Sequence, residues 1–430
     1  DASGKVIASN QQERDRASLG VKIPSDGLYA ARVSDYQQGG TLRHFYRLTV
    51  GQLPLLKGRY PLGLKAGTTR DFKVWGYNLG DTKTAAPEPF GMLAGKVMET
   101  GALVAQTKLG ETVNSLPLAI GRFDEVEETG TNTSWQTAQE LRYPVTVNGR
   151  LTLDSGGKAT SRYYRFTARK GQQLIVETAA SRLGSPLDSV IDILDSTGKI
   201  VPRITARAVW KTPLTLRDRS SRDVGLRLFQ PTGLELNDYM VVGAELLRIV
   251  RLTSAPTADE DILFDNFGGQ RLAFEDTTPE AHALDQTIYK VELHPAGAQF
   301  PPNGMPVFRF HMRNDDGGPG YGKDSRATFT APADGTYFAK VADVRSLGGD
   351  DYAYRFTIRD PQPDFLITAS PTNPNIAEGS SVAVEVTALR TEGFEGPIDL
   401  KVEGLPENIT GTQATLPAGE NSVTLILSHQ

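Results

Sequence analysis

The sequence predicts an all-β protein, built as a tandem array of β-sandwich modules. Three observations predict this fold class. The 430 residues include 43 Gly and 26 Pro, a composition that suits many short strands joined by turns. Apolar and polar residues alternate along many segments, as they do in half-buried strands. A segment near the start also returns near the end, and an internal repeat is the signature of an array of similar units.

The internal repeat divides the chain into modules. One set of matches has a constant offset of 308 residues: Pro24 with Pro332, Asp26 with Asp334, Gly27 with Gly335, Tyr29 with Tyr337, Val33 with Val341, Asp35 with Asp343 and Tyr46 with Tyr354. Upstream, Asp1 matches Asp195 at an offset of 194, so the second copy contains 114 extra residues. We therefore expect a large insertion in the second copy. The first copy corresponds only to a back half, so residue 1 is expected to lie inside a domain.

The first element, residues 1–52, is expected to be this back half of a sandwich. Alternating apolar residues predict strands at 19–23, 28–33 and 44–50. Between the first two, Pro24 presets φ and Gly27 permits a positive φ, which predicts a tight turn.

Residues 53–122 are predicted to form a second, small sandwich. Strands are expected around residues 60–64 and 70–80. The string Val74-Trp75-Gly76-Tyr77-Asn78-Leu79 resembles the strand-turn signature of the immunoglobulin-like IPT/TIG family. The resemblance implies an immunoglobulin-like module here.

Residues 123–362 are expected to hold the complete copy of the repeated module. Period-two patterns predict strands at 145–151, 163–168, 173–178 and 187–195. The extra residues are assigned to an inserted β subdomain at 203–307, because an exposed hairpin tolerates long insertions. Within it, residues 239–250 predict a hairpin that turns at Gly243. The chain is expected to rejoin the host sandwich at residues 307–310.

Residues 363–430 predict a last immunoglobulin-like sandwich. Its strands are expected at 365–367, 382–386, 398–402 and 423–427, separated by Pro, Gly and Asn. The module is expected to stop before its final strand.

Four segments of the repeated module carry a family resemblance: Tyr163-Tyr164-Arg165-Phe166, Asp324-Ser325-Arg326, Pro332-Ala333-Asp334-Gly335-Thr336-Tyr337 and Tyr352-Ala353-Tyr354-Arg355-Phe356. With them the module resembles the bacterial pre-peptidase C-terminal (PPC) domain, a small β-sandwich of jelly-roll or immunoglobulin-like type found on exported proteins. The resemblance covers most of 123–360 outside the insertion, and also 1–52. It implies export from a bacterial cell to the exterior or the cell surface, and no catalysis by the module.

Composition excludes several classes of function. The absence of Cys rules out disulfides, thiolate metal sites and cysteine nucleophiles. A net charge of −5 with scattered basic residues argues against a nucleic-acid partner. No apolar run approaches the roughly 18 residues that a membrane span needs.

A Gly-rich acidic loop is the segment that most strongly suggests a metal. Its oxygen donors are Asn314, Asp315, Asp316 and Asp324, and calcium accepts such ligands in flexible geometry. By resemblance to calcium-binding PPC domains, Glu125 and Glu127 of an acidic lead-in would join them. The alternative is that these residues are ordinary turn formers and solvated acids.

Two aromatic residues outside the predicted strands, Trp135 and Tyr321, are candidates for stacking against a sugar or peptide ligand. Asp188 and Asp192 lie on one face of a predicted strand, and we interpret them as its polar outer face. No H-E-x-x-H or G-x-S-x-G motif occurs. A catalytic triad dispersed along the chain stays a possible alternative.

Together these patterns predict a non-catalytic modular region of an exported bacterial protein, serving as a spacer and a scaffold. Its expected partner is an extracellular polymer, a protein or a cell-surface ligand, and further domains are expected to be covalently attached. The alternative is an accessory region of a secreted protease or other hydrolase whose catalytic domain lies elsewhere.

Overall fold

The computed structural model describes residues 1–10, 18–35, 39–42, 44–79, 84–85, 103–107, 114–215, 219–220, 223–253, 260–274, 281–282 and 286–430. Regular structure in these ranges is β-strand, apart from 3₁₀ turns at Trp135–Thr137 and Ser181–Leu183. The all-β fold class predicted from the sequence is confirmed. No helix in the same ranges is long and apolar enough to cross a membrane.

The small module spans residues 55–121. Its strands are β1 Leu55–Tyr60, β2 Gly63–Lys65, β3 Phe72–Tyr77, β4 Thr84–Ala85, β5 Leu103–Thr107 and β6 Leu116–Gly121. They form two three-stranded sheets, ordered β1-β3-β4 and β2-β6-β5. Leu56, Phe72 and Leu118 meet in the apolar core, because alternate residues of each strand point inward.

The front half of the central sandwich follows directly. Its strands are β7 Asp124–Glu127, β8 Gln139–Glu140, β9 Val145–Arg150, β10 Arg162–Ala168, β11 Gln173–Ala179 and β12 Ser189–Leu194. The strands β9, β10 and β11 agree with the sequence-predicted strands to within a residue at each end.

The insertion then leaves the central sandwich. Its strands are β13 Pro202–Pro213, β14 Arg219–Ser220, β15 Gly225–Leu226, β16 Tyr239–Val242, β17 Glu245–Leu252, β18 Ile262–Phe264, β19 Asn266–Phe267, β20 Gln270–Arg271, β21 Ala281–His282, β22 Thr287–Pro295 and β23 Val307–His311. Seven of them form one sheet, ordered β15-β18-β17-β16-β22-β13-β23. Strands β16 and β17 form the expected hairpin, and Gly243 adopts a φ of 63° in its turn.

One expected boundary of the insertion differs from the structure. Residues 307–310 were assigned to the host sandwich, but β23 pairs with β13 in the sheet of the insertion. The two ends of an inserted chain must leave and re-enter the host close together. Pairing of the first and last strands of the insertion achieves this, and the chain rejoins the central sandwich at Met312, which hydrogen-bonds Val201 and Ile193.

The back half completes the central sandwich with β24 Arg313–Asn314, β25 Arg326–Thr330, β26 Gly335–Asp343 and β27 Ala353–Arg359. The two sheets have five strands each, ordered β24-β12-β26-β10-β8 and β25-β11-β27-β9-β7. Tyr164, Phe166, Phe329 and Phe356 are among the buried side chains that fill the space between them. In each sheet a back-half strand, β26 or β27, lies between two front-half strands, so both halves of the module are needed to build the sandwich.

The C-terminal module contains β28 Asp364–Ser370, β29 Ser381–Thr391, β30 Ile398–Leu400, β31 Ile409–Gly411, β32 Ala414–Leu416 and β33 Ser422–His429. A four-stranded sheet, β28-β29-β33-β31, faces the pair β30-β32. Ala388, Ile398 and Leu416 form its buried core.

The N-terminal repeat, residues 1–52, differs from the expectation. The strands predicted at 19–23, 28–33 and 44–50 are not formed in the described residues. A strand needs a partner for its backbone groups. The strands that pair with the matching segments of the complete copy, β9 to β12, are already occupied by β26 and β27.

Candidate functional site at the module joints

The acidic lead-in is a strand whose carboxylates pair with cations. On β7, Glu125 accepts hydrogen bonds from Arg355 at 2.5 Å, Arg70 at 3.0 Å and the amide of Asn148 at 2.8 Å. Glu127 accepts from the Tyr60 hydroxyl at 2.5 Å and pairs with Arg70. Because Arg70 and Tyr60 belong to the small module, the lead-in binds that module to the central sandwich.

The acidic loop also has internal partners. Asp324 is fully buried, and its carboxylate accepts four hydrogen bonds, from the backbone N–H groups of Ala180, Ser181 and Arg182 and from Arg182 Nε at 2.7 Å. Asn314 accepts from the backbone of Arg326 and donates to the Asp316 carbonyl. Asp324 thus fastens the loop to the turn after β11, and Asn314 holds the loop to the start of β25.

Asp315 differs from its neighbours because its Oδ1 is buried without a hydrogen-bond partner. Burial raises the pKa of Asp315 above the ordinary value. Across the described ranges, no three His, Cys, Asp or Glu side chains are grouped so that they could hold a metal ion. The calcium candidates of the loop and of the lead-in are not brought together as one oxygen cluster.

The two aromatic ligand candidates pack against the protein. Tyr321 was expected in an accessible loop, but it is 3% exposed and its hydroxyl donates to Glu177 at 2.9 Å. The Arg182 guanidinium lies 4.1 Å from its ring centre. Trp135 is half-buried in a 3₁₀ turn, edge-on to Phe338 at 5.7 Å. The ring of Tyr321 is therefore not available as a stacking platform in this arrangement.

Asp192 does not lie on a polar outer face, as the sequence had suggested. Its side chain is 2% exposed, and it pairs with Arg313 and Lys340, each at 3.0 Å. Strand β12 is buried along its whole length and lies between β24 and β26 in the sheet. Asp188 is half-buried and lies 3.3 Å from Lys323.

The joint between the small module and the central sandwich combines apolar and polar contacts. Leu62 and Ala119 of the small module form one cluster with Leu183 and Ala353 of the sandwich. The indole N–H of Trp75 donates to Asp351 of the sandwich at 2.5 Å, and Lys57 pairs with the same carboxylate at 2.6 Å. The backbone also approaches closely, since a Cβ on Gly63 would lie 2.6 Å from Arg355 Nη1.

A buried arginine with few partners lies in this joint. Arg59 is 2% exposed and donates to the Leu183 carbonyl at 3.2 Å, while its Nε has no hydrogen-bond partner. Burial, with a smaller contribution from the like charge of Arg355, lowers the pKa of Arg59 to about 9. The guanidinium is therefore held at an energetic cost.

The joint between the central sandwich and the C-terminal module is centred on Glu392. Its carboxylate, 5% exposed, accepts two hydrogen bonds from Arg359 and one from Arg326, all at 2.6 Å. The backbone N–H of Gln362 donates to it at 2.5 Å. Arg359 also binds Glu177 at 3.0 Å, so the network continues into the sandwich. We call Glu177, Arg326, Arg359 and Glu392 the Glu392 clamp.

The Glu392 carboxylate is ionised across the neutral range. Burial raises its pKa, but hydrogen bonds from Arg359, Gln362 and Arg326 outweigh this and hold the pKa of Glu392 below its usual value. Glu392 lies just after β29 with a φ of 52°, in the left-handed region. This turn conformation brings the carboxylate to the arginines of the sandwich.

Sequence reasoning missed both joints. The available signal was charge inside apolar strand patterns: Arg59 in β1, and Arg355 and Arg359 in β27. Such residues are seldom fully buried unless they are paired. Arg59 and Arg359 bind groups of a neighbouring module, the Leu183 carbonyl and Glu392, and no sequence spacing connects these partners in advance.

Comparisons with known proteins identify no relative of this chain. No family model, curated protein or solved structure matches the chain.

Proposed function

We propose that this chain is a non-catalytic scaffold that holds β-sandwich modules at defined orientations. In this role it acts as a spacer of an exported protein and presents module surfaces to an extracellular polymer, a protein or a cell-surface ligand. The observation that carries the proposal is the Glu392 clamp, in which one buried carboxylate receives three arginine hydrogen bonds from the neighbouring module.

Such joints have a physical consequence for function. Domains joined by a polar linker and a small interface usually move relative to each other. Here Arg359, at 1% exposed, would lose a charge partner if the C-terminal module moved away. Separation must also re-expose the cluster of Leu62, Leu183 and Ala353 at the other joint. A fixed geometry suits a spacer better than a flexible tether does.

The resemblance of the central sandwich to PPC domains is part of this proposal. What supports it is the fold class alone, since the module is a sandwich of two five-stranded sheets and the family's module is also a small β-sandwich. Export to the cell exterior follows from the same resemblance.

The proposal is tested by measuring distances between modules. The absence of native Cys allows spin labels at two introduced cysteines without background. Exposed Lys158 and Glu407 are suitable sites in the central sandwich and the C-terminal module. A rigid scaffold gives one narrow distance distribution by pulsed electron spin resonance. A broad distribution, as wide as that of a flexible linker, would contradict it.

A further inference from the structure

The large sheet of the insertion ends in a strand that has a neighbour on one side only. Strand β23, Val307–His311, is the last strand in the order β15-β18-β17-β16-β22-β13-β23. Within the described ranges, β13 is the only strand that pairs with it. At the opposite edge, β15 has two residues, and both are buried. The β23 edge is therefore the longer open edge of this sheet, with unpaired backbone groups along its outer side.

The register shows which backbone groups of this edge point outward. The N–H of Ala208 donates to the Pro306 carbonyl, so the backbone of position 306 faces β13. Backbone groups alternate in direction along an antiparallel strand. Those of Phe308 therefore face β13 as well, and those of Val307 and Arg309 point away from the sheet. Each of these two residues offers one N–H and one C=O to an added strand.

The side chains of β23 divide between an apolar face and a cationic face. Phe308 and Phe310 lie on one face, in the apolar cluster that contains Ala206. Arg309 points to the opposite face, because successive side chains of a strand alternate. It is exposed, and it forms no ion pair in the part of the chain that the structure describes.

The cationic face continues onto the neighbouring strand. Arg207 of β13 lies opposite Val307 and thus diagonally from Arg309, at about 7–8 Å. Its guanidinium lies 5.1 Å from the ring centre of Phe300 and has no ion-pair partner among the described residues. Strands β13 and β23 contain no Asp or Glu, and the adjoining acid is Glu292 of β22, opposite Arg207. Positive charge therefore outweighs negative charge at this edge.

We propose that the β23 edge binds an extended peptide segment in which acidic residues alternate with apolar ones. The segment adds as a further strand beside β23, and its backbone pairs with the outward groups of Val307 and Arg309. Its acidic side chains lie beside Arg309, and its apolar side chains lie beside Phe308 and Phe310 on the other face. In such strand addition, backbone pairing supplies affinity and alternate side chains supply specificity.

Other occupants match this edge less well. An acidic polysaccharide or a nucleic acid complements the charge of Arg207 and Arg309, but it cannot pair as a strand with the outward backbone groups. A second copy of this chain would bring its own Arg309 to the same edge, and like charges on adjacent strands repel. Charged side chains on an edge also discourage pairing with strands of the wrong chemistry. The inference goes beyond the scaffold role, because peptide binding at β23 does not require rigid joints.

The test measures binding of a fluorescent synthetic peptide to the full chain by fluorescence anisotropy. The peptide alternates Glu with Val over about eight residues, a usual strand length. A control peptide has the same composition, with all Glu at one end and all Val at the other. We expect the alternating peptide to bind at least about 10-fold more tightly, because its cross-strand pairs form together. It should also slow amide exchange within residues 305–311.

Two variants separate strand addition from simple attraction of charge. Val307→Pro removes an outward N–H, and proline is tolerated in an edge strand at a position whose N–H faces solvent. Arg309→Glu reverses the charge of the edge. Each change should weaken binding of the alternating peptide by at least about 10-fold. The matched control for charge is Arg251→Glu, an exposed residue of β17 at the far side of the sheet, which should bind as the unmodified chain does.

Equal affinity for the two peptides overturns the proposal. So does a folded Val307→Pro variant that binds the alternating peptide as tightly as the unmodified chain, because charge alone then accounts for binding. Should the melting temperature show that Val307→Pro folds poorly, amide exchange of residues 305–311 in the unmodified chain decides instead, and exchange that saturating peptide leaves unchanged refutes strand addition. Protection of 305–311 that rises with the concentration of the chain alone refutes it too, since a second copy is then the occupant.

Discussion

Replacement of Glu392 by Gln tests the joint on which the scaffold proposal depends. The amide keeps the size of the side chain but loses the charge, and its NH₂ group faces the donors of Arg359 and Arg326. Breaking a buried pair by removing one partner costs about 3–5 kcal/mol. Because Arg359 keeps Glu177 at 3.0 Å, we expect the lower end, about 3 kcal/mol.

A loss of this size raises the population of the undocked C-terminal module by roughly 100-fold. The spin-label distance between positions 158 and 407 should broaden in Glu392→Gln. Amides of Gln362 and its neighbours should also exchange faster. The matched control is Glu385→Gln, which changes an exposed residue on β29 and should leave both measurements unchanged.

The clamp also predicts a pH dependence with a definite sign. The pKa of Glu392 is lower in the folded protein than in the unfolded chain, so its stabilisation is fully present above the unfolded value of about 4.3. The stabilisation is lost as the pH falls through the lower folded pKa. Broadening of the distance distribution below about pH 4 should be weaker in Glu392→Gln, whose joint is already loosened. An identical pH response and an unbroadened distance in the variant would refute the reasoning.

Three further predictions concern the other contacts. Gly63→Val should disturb both the β2–β6 pairing and the joint with the central sandwich, because a Cβ there would lie 2.3 Å from the Ala119 carbonyl oxygen and 2.6 Å from Arg355 Nη1. Labels across the joint should report the separation, and Gly51→Val, where no atom lies nearer than 3.6 Å to a Cβ and φ is not positive, is the comparison for backbone effects. Arg59→Met should leave the free energy of unfolding unchanged or raise it by up to about 2 kcal/mol, because an apolar side chain replaces a buried guanidinium that has one carbonyl partner. A clear fall in the melting temperature would show that Arg59 has a stronger partner. The melting temperature should be the same in millimolar calcium and in a chelator, because Asp324 and Glu125 are already bound by arginines. A higher melting temperature in calcium would instead support the metal site expected from the sequence.

The elements of the fold were largely predictable, because strand periodicity and turn residues act locally. The patterns at 163–168 and 173–178 became β10 and β11, and Gly243 closes the expected hairpin. The assignment of 307–310 to the central sandwich was wrong because alternation of period two predicts a strand but does not predict which strand it pairs with. The strands of residues 1–52 failed for a related reason, since a correct pattern forms no sheet without partner strands.

The candidate site was much less predictable. Acidic residues in a Gly-rich loop were interpreted as oxygen ligands, but Asp324 binds Arg182 and backbone N–H groups of a distant turn. Tyr321 was expected to be accessible, and its hydroxyl instead reaches Glu177 inside the protein. The sequence shows which groups Asp324 and Tyr321 carry, but it does not show their partners, which lie 142 or more positions away along the chain.

What the amino-acid sequence alone predicted is the modular plan: the all-β class, the repeat with its insertion, and local turns such as the hairpin at Gly243. These features depend on interactions within a few residues, so they persist whether or not a sheet is built around them. The tertiary structure alone decided which strand pairs with which, as for β23 with β13, and which carboxylate meets which arginine. Strand pairing and buried ion pairs depend on partners brought together by folding, and Glu392 becomes a clamp only when two modules meet.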